Sequence, residues 1–290
     1  MKICRFNDSR IGVVRAGHVH DVTAILDDLP NLRYPLPLGD QLIASLESLR
    51  AKIGQLADRA APIPFSQVRF CAPVANPSKI IGVPSNYPAH VAEVLNDKEI
   101  RPTNAGKPSL PIDKQGLFLK ANSALVGPGE GVAIRFPDRR TDHECELGLI
   151  ISRQGSDIPE QDAMSYVAGY ALALDMVVRG PEDRSFRKSA DSYAVLGPWM
   201  VTADEIADPQ SLDFELSVNG EIRQQGNTRD MTCKIAKQIA WASSFYTLYP
   251  GDVIMTGTND GVGRVQPGDV ITVEYAKVGR MEVPVRAHQR

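Results

Sequence analysis

The chain has 290 residues, of which 43% are hydrophobic and 23% are charged, and its formal net charge is −3. This composition is that of an ordinary globular chain, so it excludes the disordered and fibrous classes and predicts one or two domains. Since there is no excess of Lys and Arg, no basic field attracts phosphate backbones or anionic lipids, and we expect neither nucleic acid nor a membrane as a partner.

Targeting signals and cysteine spacing bear on where the protein resides. No run approaches the roughly 18 apolar residues of a membrane span, and the start, MKICRFNDSR, lacks the apolar core of a secretion signal. We therefore expect a cytoplasmic protein. The cysteines are far apart and form no CxxC pair, which predicts buried free thiols at Cys4, Cys71, Cys145 and Cys233.

The N-terminal segment reads as a small β-rich unit with one helix. Short strands are predicted from Ile3 to Thr23, and Asp40 can cap the helix that follows. The segments AAPIP and ANPS then interrupt the pattern, so we place a boundary after residue 70 and predict domains of residues 1–70 and 71–290. The helix is indicated by one apolar stripe of Leu42, Leu46, Leu49, Ile53 and Leu56.

The larger domain carries many short strand signals, as expected for a chain with 23 glycines and 21 prolines. A hairpin turn is predicted at Asn219-Gly220, and helices are predicted only after Pro159 and from about Thr232 to Leu248. These patterns indicate a β-rich α+β fold. Residues 94–116 are polar and rich in Pro and Lys, which is typical of a surface loop or lid. The strand signals are IIGV, FLK, ALVG, ECELGLIIS, GYALALD, FELSVNGEIRQ, DVIMTGT and DVITVEY.

Three acidic residues form the first candidate site. Glu144 and Glu146 lie two apart at the head of an apolar strand, so their side chains share one face. An isolated pair of this kind usually lies on a solvated face, but the strand ELGLIIS is apolar on both faces and predicts burial. Buried carboxylates need a cation, and Asp175, at the end of GYALALD, adds a third. We predict a metal site for Mg²⁺ first, then Mn²⁺ or Ca²⁺.

Three further features could take part in catalysis. His90 and Glu93 lie three apart and share a helix face, as a general base and its orienting carboxylate require, although an exposed helical pair is the simpler interpretation. Lys188 could polarise a carbonyl or hold an oxyanion, although a lone lysine is usually solvated. His143 could be a metal ligand but should face away from the carboxylates. The segment TGTNDGVG (256–263) permits close approach to a ligand, and a plain glycine-rich turn remains an alternative.

Together these segments resemble the fumarylacetoacetate hydrolase superfamily over roughly residues 78–288. The resemblance implies a mixed β-roll catalytic domain behind the small N-terminal unit, and a homodimer. It rests on the ordered set KIIGVPSNYPAHVAE, LFLKANSALVGPGE, DHECELGLIIS, GYALALDMVVRG, RKSADSYAVLGPW, VNGEIRQ, YPGDVIMTGTNDGVG and QPGDVITVEY.

The resemblance also implies roles for individual residues. Glu144, Glu146 and Asp175 are similar to the family's metal ligands, and His90 and Glu93 are similar to a catalytic dyad on a mobile lid that closes over a bound keto acid. Lys188 resembles the active-site lysine. The residues expected to hold substrate are Arg179, Thr258 and Tyr87. The sequence departs from the family pattern at Gly180, Glu182 and Asn259-Asp260 and in the long stretch after Glu93.

By resemblance, the expected activity is metal-dependent hydrolysis of a C–C bond in an acylpyruvate, giving pyruvate and a carboxylic acid in the catabolism of aromatic compounds. The same chemistry supports decarboxylation of a β-keto acid such as oxaloacetate, or isomerisation of an unsaturated oxo-dioate. A non-catalytic metal-dependent keto-acid binder and a Schiff-base lyase using Lys188 would also fit the same residues. Intact His90 and Glu93 favour hydrolysis.

Overall fold

A computed structural model of the chain describes residues 1–97, 100 and 112–289. The α-helices are α1 (Gln41–Arg59), α2 (Pro88–Asn96), α3 (Ile112–Gln115), α4 (Arg184–Lys188) and α5 (Ile235–Phe245). The strands are β1 (Lys2–Phe6), β2 (Arg10–Arg15), β3 (His18–Asp21), β4 (Pro62–Pro64), β5 (Phe70–Cys71), β6 (Ile80–Gly82), β7 (Phe118–Lys120), β8 (Leu125–Val126), β9 (Val132–Ile134), β10 (Thr141–His143), β11 (Cys145–Ile151), β12 (Val167–Asp175), β13 (Val177–Val178), β14 (Ala194–Thr202), β15 (Asp213–Val218), β16 (Glu221–Asn227), β17 (Val253–Met255), β18 (Gly263–Arg264), β19 (Val270–Tyr275) and β20 (Gly279–Ala287).

Hydrogen bonding joins the described strands into three sheets. The main sheet has the order β4-β3-β2-β1-β14-β12-β11-β17-β6-β7, with β5 beside β1 and β8 beside β14. A second sheet has the order β16-β15-β19-β20-β9, and a third, small sheet has the order β13-β10-β18. The predicted β-rich α+β class is confirmed.

The central strands of the main sheet are buried on both faces, as their sequences predict. Side chains alternate across β11, so Leu147 and Leu149 join the apolar core that also contains Val273 of the second sheet. The next residue, Ile150, belongs to the core that also contains Leu46 of α1. Every residue of β11 is buried. A polar side chain at either end of β11 is therefore buried in apolar surroundings unless it lines a pocket.

The N-terminal residues extend the main sheet, because β1 pairs with β14 through Ile3 and Met200. Helix α1 begins as predicted: the Asp40 carboxylate accepts hydrogen bonds from the backbone N–H groups of Leu42 and Ile43 at 3.0 and 3.1 Å. Its apolar stripe packs on the sheet. The domain boundary at residue 70 stays a prediction.

The predicted hairpin turn is correct, but the predicted number of helices is not. The Asn219-Gly220 hairpin is confirmed, since φ is 52° and 83° at these two residues. The expectation of only two helices beyond residue 71 is wrong. The second of them is α5, but the residues after Pro159 form a 3₁₀ helix, Glu160–Tyr166. Helix α2 carries the turn expected for His90 and Glu93, whereas α3 and α4 were not predicted. Such short helices span too few turns to show periodicity.

The four cysteines are buried and free, as predicted. No helix within the described ranges is long and apolar enough to cross a membrane.

Candidate active site and metal centre

The antiparallel pairing of β11 with β12 brings the three predicted carboxylates together. Cys145 lies opposite Leu174, so the head of β11 meets the end of β12. Asp175 N–H donates to the carbonyl oxygen of Glu144 at 3.0 Å. One carboxylate oxygen from each of Glu144, Glu146 and Asp175 lies within 4.8 Å of the other two, and all three residues are buried. Residues up to 31 positions apart in sequence thus form one buried acidic cluster.

Two buried lysines and one arginine partly neutralise this cluster. Lys188 Nζ donates to Glu144 Oε2 at 2.5 Å and also to Asp175 Oδ2. Lys120 Nζ donates to the other oxygen of Asp175. Arg179 donates to Glu144 Oε1 at 3.3 Å. Sequence reasoning missed Lys120; the only signal was a lysine closing the apolar strand FLK.

Glu146 lacks such a partner. Its Oε2 accepts the Gly257 N–H at 2.7 Å, but no Lys or Arg of the described chain lies within ion-pair distance. Burial, with the nearby charges of Asp175 and Glu144, raises the pKa of Glu146 well above its usual value. For Glu144 burial acts in the same direction, but Lys188 and Arg179 outweigh it and lower the pKa to about 2. A hard divalent cation fits this set of oxygen donors, because it would supply the positive charge that Glu146 lacks.

The predicted dyad forms on helix α2. His90 Nδ1 lies 2.9 Å from Glu93 Oε2, and His90 is only 8% exposed. A proton on Nδ1 is donated to the carboxylate, which leaves Nε2 as a proton acceptor. The other oxygen of Glu93 accepts the Gly261 N–H at 2.8 Å. Both residues of the pair are therefore held in a fixed geometry.

The segment TGTNDGVG supplies backbone N–H donors to the acidic cluster and to the His90–Glu93 pair. Gly257 and Gly261 have φ of 95° and 88°, a region that side chains disfavour. Their N–H groups donate to Glu146 and Glu93 respectively. The segment is thus more than a plain turn, since it connects the acidic cluster with the dyad. The sequence indicated close backbone approach here but not the two carboxylates that receive it.

Replacing Gly261 by alanine is expected to reduce activity by about 100-fold, because misplacement of a catalytic group by about 1 Å costs that much. A Cβ at residue 261 would lie 1.9 Å from the Arg223 carbonyl oxygen, so the loop and Glu93 must shift. Gly268→Ala is the matched control: φ is 101° there, yet nothing lies within 4 Å of the added carbon. Steady-state kinetics of both variants check this; equal, small losses would contradict it.

Most of the predicted site residues line one pocket. Its lining includes His90, the acidic cluster, Arg179, Lys188 and Thr258. Tyr87 is outside this lining: its buried ring packs edge-on against Phe214 at 6.1 Å between centroids. His143 is also outside, with Nδ1 3.1 Å from the Gln224 amide oxygen, and burial lowers its pKa to about 4.

Most of residues 94–116, the predicted lid, lie outside the described residues, and closure of this lid stays a prediction.

Two of the residues that depart from the family pattern, Gly180 and Glu182, lie beside Arg139. Arg139 makes two hydrogen bonds to the Glu182 carboxylate, at 2.9 and 2.7 Å, and donates to the Arg179 carbonyl oxygen. A Cβ at Gly180 would lie 2.0 Å from this guanidinium. Glycine at 180 therefore makes room for the Arg139–Glu182 pair. Asn259 donates to the Gln225 carbonyl oxygen at 2.9 Å, which ties the glycine-rich segment to β16.

Gln224 is a buried residue that sequence reasoning missed as part of the site. Its Oε1 accepts the N–H of Cys145, which lies between two of the clustered glutamates, at 3.0 Å. Its Nε2 donates to Thr258 Oγ1 at 2.9 Å. The amide thus fixes the head of β11 relative to Thr258. A signal existed, since Gln224 closes the motif VNGEIRQ.

Comparison with known proteins agrees with this geometry. The family Fumarylacetoacetate (FAA) hydrolase C-terminal matches residues 79–286. The chain is 51% identical to a maleylpyruvate hydrolase of Aquipseudomonas alcaligenes, covering 99% of this chain and 100% of that protein. It is 38% identical to a mitochondrial oxaloacetate tautomerase of Rattus norvegicus, covering 77% and 71% of the two chains.

Solved structures are similar over the same length. The crystal structure of maleylpyruvate hydrolase from Sphingobium sp. SYK-6, in complex with manganese(II) ion and pyruvate, matches with a TM-score of 0.83 and 39% identity. The match covers 100% of both chains. On the family match, the full-length relative and the buried carboxylate cluster, the chain belongs to the fumarylacetoacetate hydrolase family.

Proposed function

We propose that this protein hydrolyses a C–C bond of an acylpyruvate, releasing pyruvate and a carboxylic acid in the catabolism of aromatic compounds. The observation that carries the proposal is a single pocket lined by three buried carboxylates and by His90, which Glu93 orients. The 51% identical maleylpyruvate hydrolase supports the same reaction class.

Glu144, Glu146 and Asp175 would hold a divalent cation, Mn²⁺ or Mg²⁺. The manganese and pyruvate bound in the Sphingobium structure support this choice of ion and of keto-acid ligand. When bound, the cation supplies Lewis-acid chemistry to the keto-acid oxygens and stabilises negative charge on the departing pyruvate.

His90 is the proposed general base. Because Nδ1–H donates to Glu93, Nε2 can take a proton from water, and the resulting hydroxide attacks the carbonyl of the acyl group. Breaking the C–C bond releases pyruvate as its enolate, which then takes up a proton. The Glu93 contact with Gly261 keeps the imidazole in this orientation.

Lys188 is proposed to stabilise the oxyanion that forms at the attacked carbonyl. Burial opposes a charge on Lys188, but Asp175 and Glu144 outweigh burial and raise its pKa. The side chain thus stays an ammonium ion, as oxyanion stabilisation requires. Arg179 and Thr258 line the same pocket and are proposed to bind substrate oxygens. For Tyr87, a substrate contact remains a proposal that the observed lining does not support.

A second candidate is keto–enol tautomerisation of oxaloacetate. The 38% identical rat oxaloacetate tautomerase favours it, and the same residues could move the required proton. Decarboxylation, isomerisation of an oxo-dioate, keto-acid binding without turnover and a Schiff-base lyase are less well supported. The homodimer and lid closure over bound keto acid are proposals taken from the family resemblance. The cytoplasmic location stays a prediction from the sequence.

A substrate screen distinguishes these reactions. Acylpyruvates, oxaloacetate and oxo-dioates are incubated with the protein and Mg²⁺ or Mn²⁺, and pyruvate, CO₂ and the enol absorbance of oxaloacetate are followed separately. We expect pyruvate and an acid from acylpyruvates without CO₂. Release of CO₂, or enol turnover alone, would reject hydrolysis. A borohydride-trapped adduct at Lys188 would indicate the Schiff-base lyase.

A further inference from the structure

The side chain of Gln224 enters the protein interior from β16, a strand whose first three residues are exposed. The pairing of β16 with β15 shifts register between Leu216 and Ser217, which leaves Arg223 as an extra residue in β16. Such a β-bulge redirects the neighbouring side chain. Gln224 is 1% exposed, whereas Arg223 beside it is exposed. The bulge thus brings a side-chain amide into the interior next to the active-site pocket.

The orientation of the Gln224 amide follows from its backbone partners. Its oxygen accepts the N–H of Cys145 at 3.0 Å, and a backbone N–H can only donate. Its nitrogen lies 3.1 Å from the carbonyl oxygen of Asn259, which can only accept. His143 Nδ1 lies 3.1 Å from the amide oxygen, to which it can donate. The reversed amide would place donor against donor and acceptor against acceptor, so its direction is fixed.

This direction determines how the Thr258 hydroxyl is used. Gln224 Nε2 donates to Thr258 Oγ1 at 2.9 Å, and since an amide nitrogen accepts no hydrogen bond, the hydroxyl oxygen is the acceptor. Within the described residues this is the hydrogen bond that the Thr258 hydroxyl makes, so its single hydrogen remains available. Thr258 is 3% exposed and lines the pocket. The available hydrogen can therefore be donated to an oxygen of a ligand in the pocket.

We propose that Gln224 is a positioning residue, which holds the Thr258 hydroxyl as a hydrogen-bond donor to an oxygen of the bound keto acid. This inference rests on the proposed function. Carboxylate and keto oxygens only accept hydrogen bonds, so a hydroxyl fixed as a donor matches them. Asn259, which departs from the family pattern, supports the arrangement, because its side-chain oxygen lies 3.0 Å from the same amide nitrogen. An acceptor at position 224 would instead draw the Thr258 hydrogen away from the ligand.

The test is a double-mutant cycle that combines Gln224→Glu with Thr258→Val. Glutamate has nearly the shape of glutamine and can still accept the Cys145 N–H, but an ionised carboxylate has no hydrogen to donate to Thr258. Pyruvate binding is measured by calorimetry with Mn²⁺ present, and Mn²⁺ binding is measured separately without pyruvate. Gln225→Glu is the matched control, because it makes the same change at the next residue, whose exposed side chain contacts Glu215.

We expect Thr258→Val and Gln224→Glu each to weaken pyruvate binding by about 10- to 100-fold, the range for a hydrogen bond to a charged group. The double variant should bind pyruvate about as weakly as either single variant, because both changes remove the same hydrogen bond. Thr258→Ser, which keeps the hydroxyl, should lose less affinity than Thr258→Val. Mn²⁺ binding should be retained in these variants, and Gln225→Glu should bind pyruvate as wild type does.

Additive losses in the cycle would overturn the proposal, because a new negative charge or a disturbed β16 acts with or without the Thr258 hydroxyl. Unchanged pyruvate binding in Thr258→Val would overturn it as well. If Gln224→Glu does not fold, the uncharged Gln224→Met takes its place in the cycle under the same criterion. Pyruvate binding without hydrolysis of any acylpyruvate would reject the proposed function alone, whereas wild type that binds no pyruvate with Mn²⁺ would reject both.

Discussion

Replacing Glu146 by glutamine is expected to lower Mn²⁺ affinity by about 100-fold or more, beyond the 10- to 100-fold typical of residues that only orient ligands, and to remove activity. Glutamine can still accept the Gly257 N–H but carries no charge. The physical reason is that Glu146 is the clustered carboxylate for which the described chain offers no Lys or Arg partner, so it depends most on the cation. Mn²⁺ titration by calorimetry and steady-state kinetics give the two measurements.

Chelation provides the companion experiment. Protein treated with EDTA should lose activity and recover it with Mg²⁺ or Mn²⁺, since removal of the cation leaves three buried carboxylates with incomplete neutralisation. Glu282→Gln is the control variant, because that side chain is 61% exposed and far in sequence from the cluster. Full activity after rigorous chelation would show that the cluster serves stability and that the chemistry needs no metal.

Replacing His90 by alanine is expected to reduce kcat by about 10²- to 10⁴-fold, the usual contribution of a general base, while Mn²⁺ affinity is retained. His90 is the imidazole that lines the pocket, and it does not belong to the carboxylate cluster. His20→Ala, a change on strand β3, should behave as wild type.

Glu93→Gln should show a smaller loss than His90→Ala. A glutamine oxygen can still accept the Gly261 N–H, yet a neutral amide stabilises the protonated imidazole less than a carboxylate does. Unchanged kcat in His90→Ala would identify another base and would favour tautomerisation or decarboxylation. Loss of Mn²⁺ affinity in the same variant would instead show that His90 takes part in metal binding.

Sequence patterns predicted the elements whose structure depends only on neighbouring residues. The four-three-four-three spacing from Leu42 to Leu56 and the capping Asp40 predicted α1, because a helix with one apolar stripe needs only its own residues and a surface to cover. Asn219-Gly220 predicted the hairpin, because its turn needs two residues with positive φ. Helix α4 was not predicted, since five residues show no periodicity.

The acidic cluster was predictable for a different reason. Glu144 and Glu146 precede an apolar strand, and Asp175 ends another, so burying both strands forces three charges into one dry region. That argument uses only residue type, spacing and the cost of an unpaired charge. It does not say how far each carboxylate is already neutralised by the protein.

The β-rich elements, the three carboxylates and the His90–Glu93 pair could be predicted without a structure, because each follows from residues close together or from the cost of burying charge. Which lysine, arginine or backbone N–H group binds which carboxylate depends on the folded chain. Lys120 meets Asp175 across 55 residues, and Gly261 meets Glu93 across 168. Such contacts depend on strand order and loop path, which no local pattern encodes.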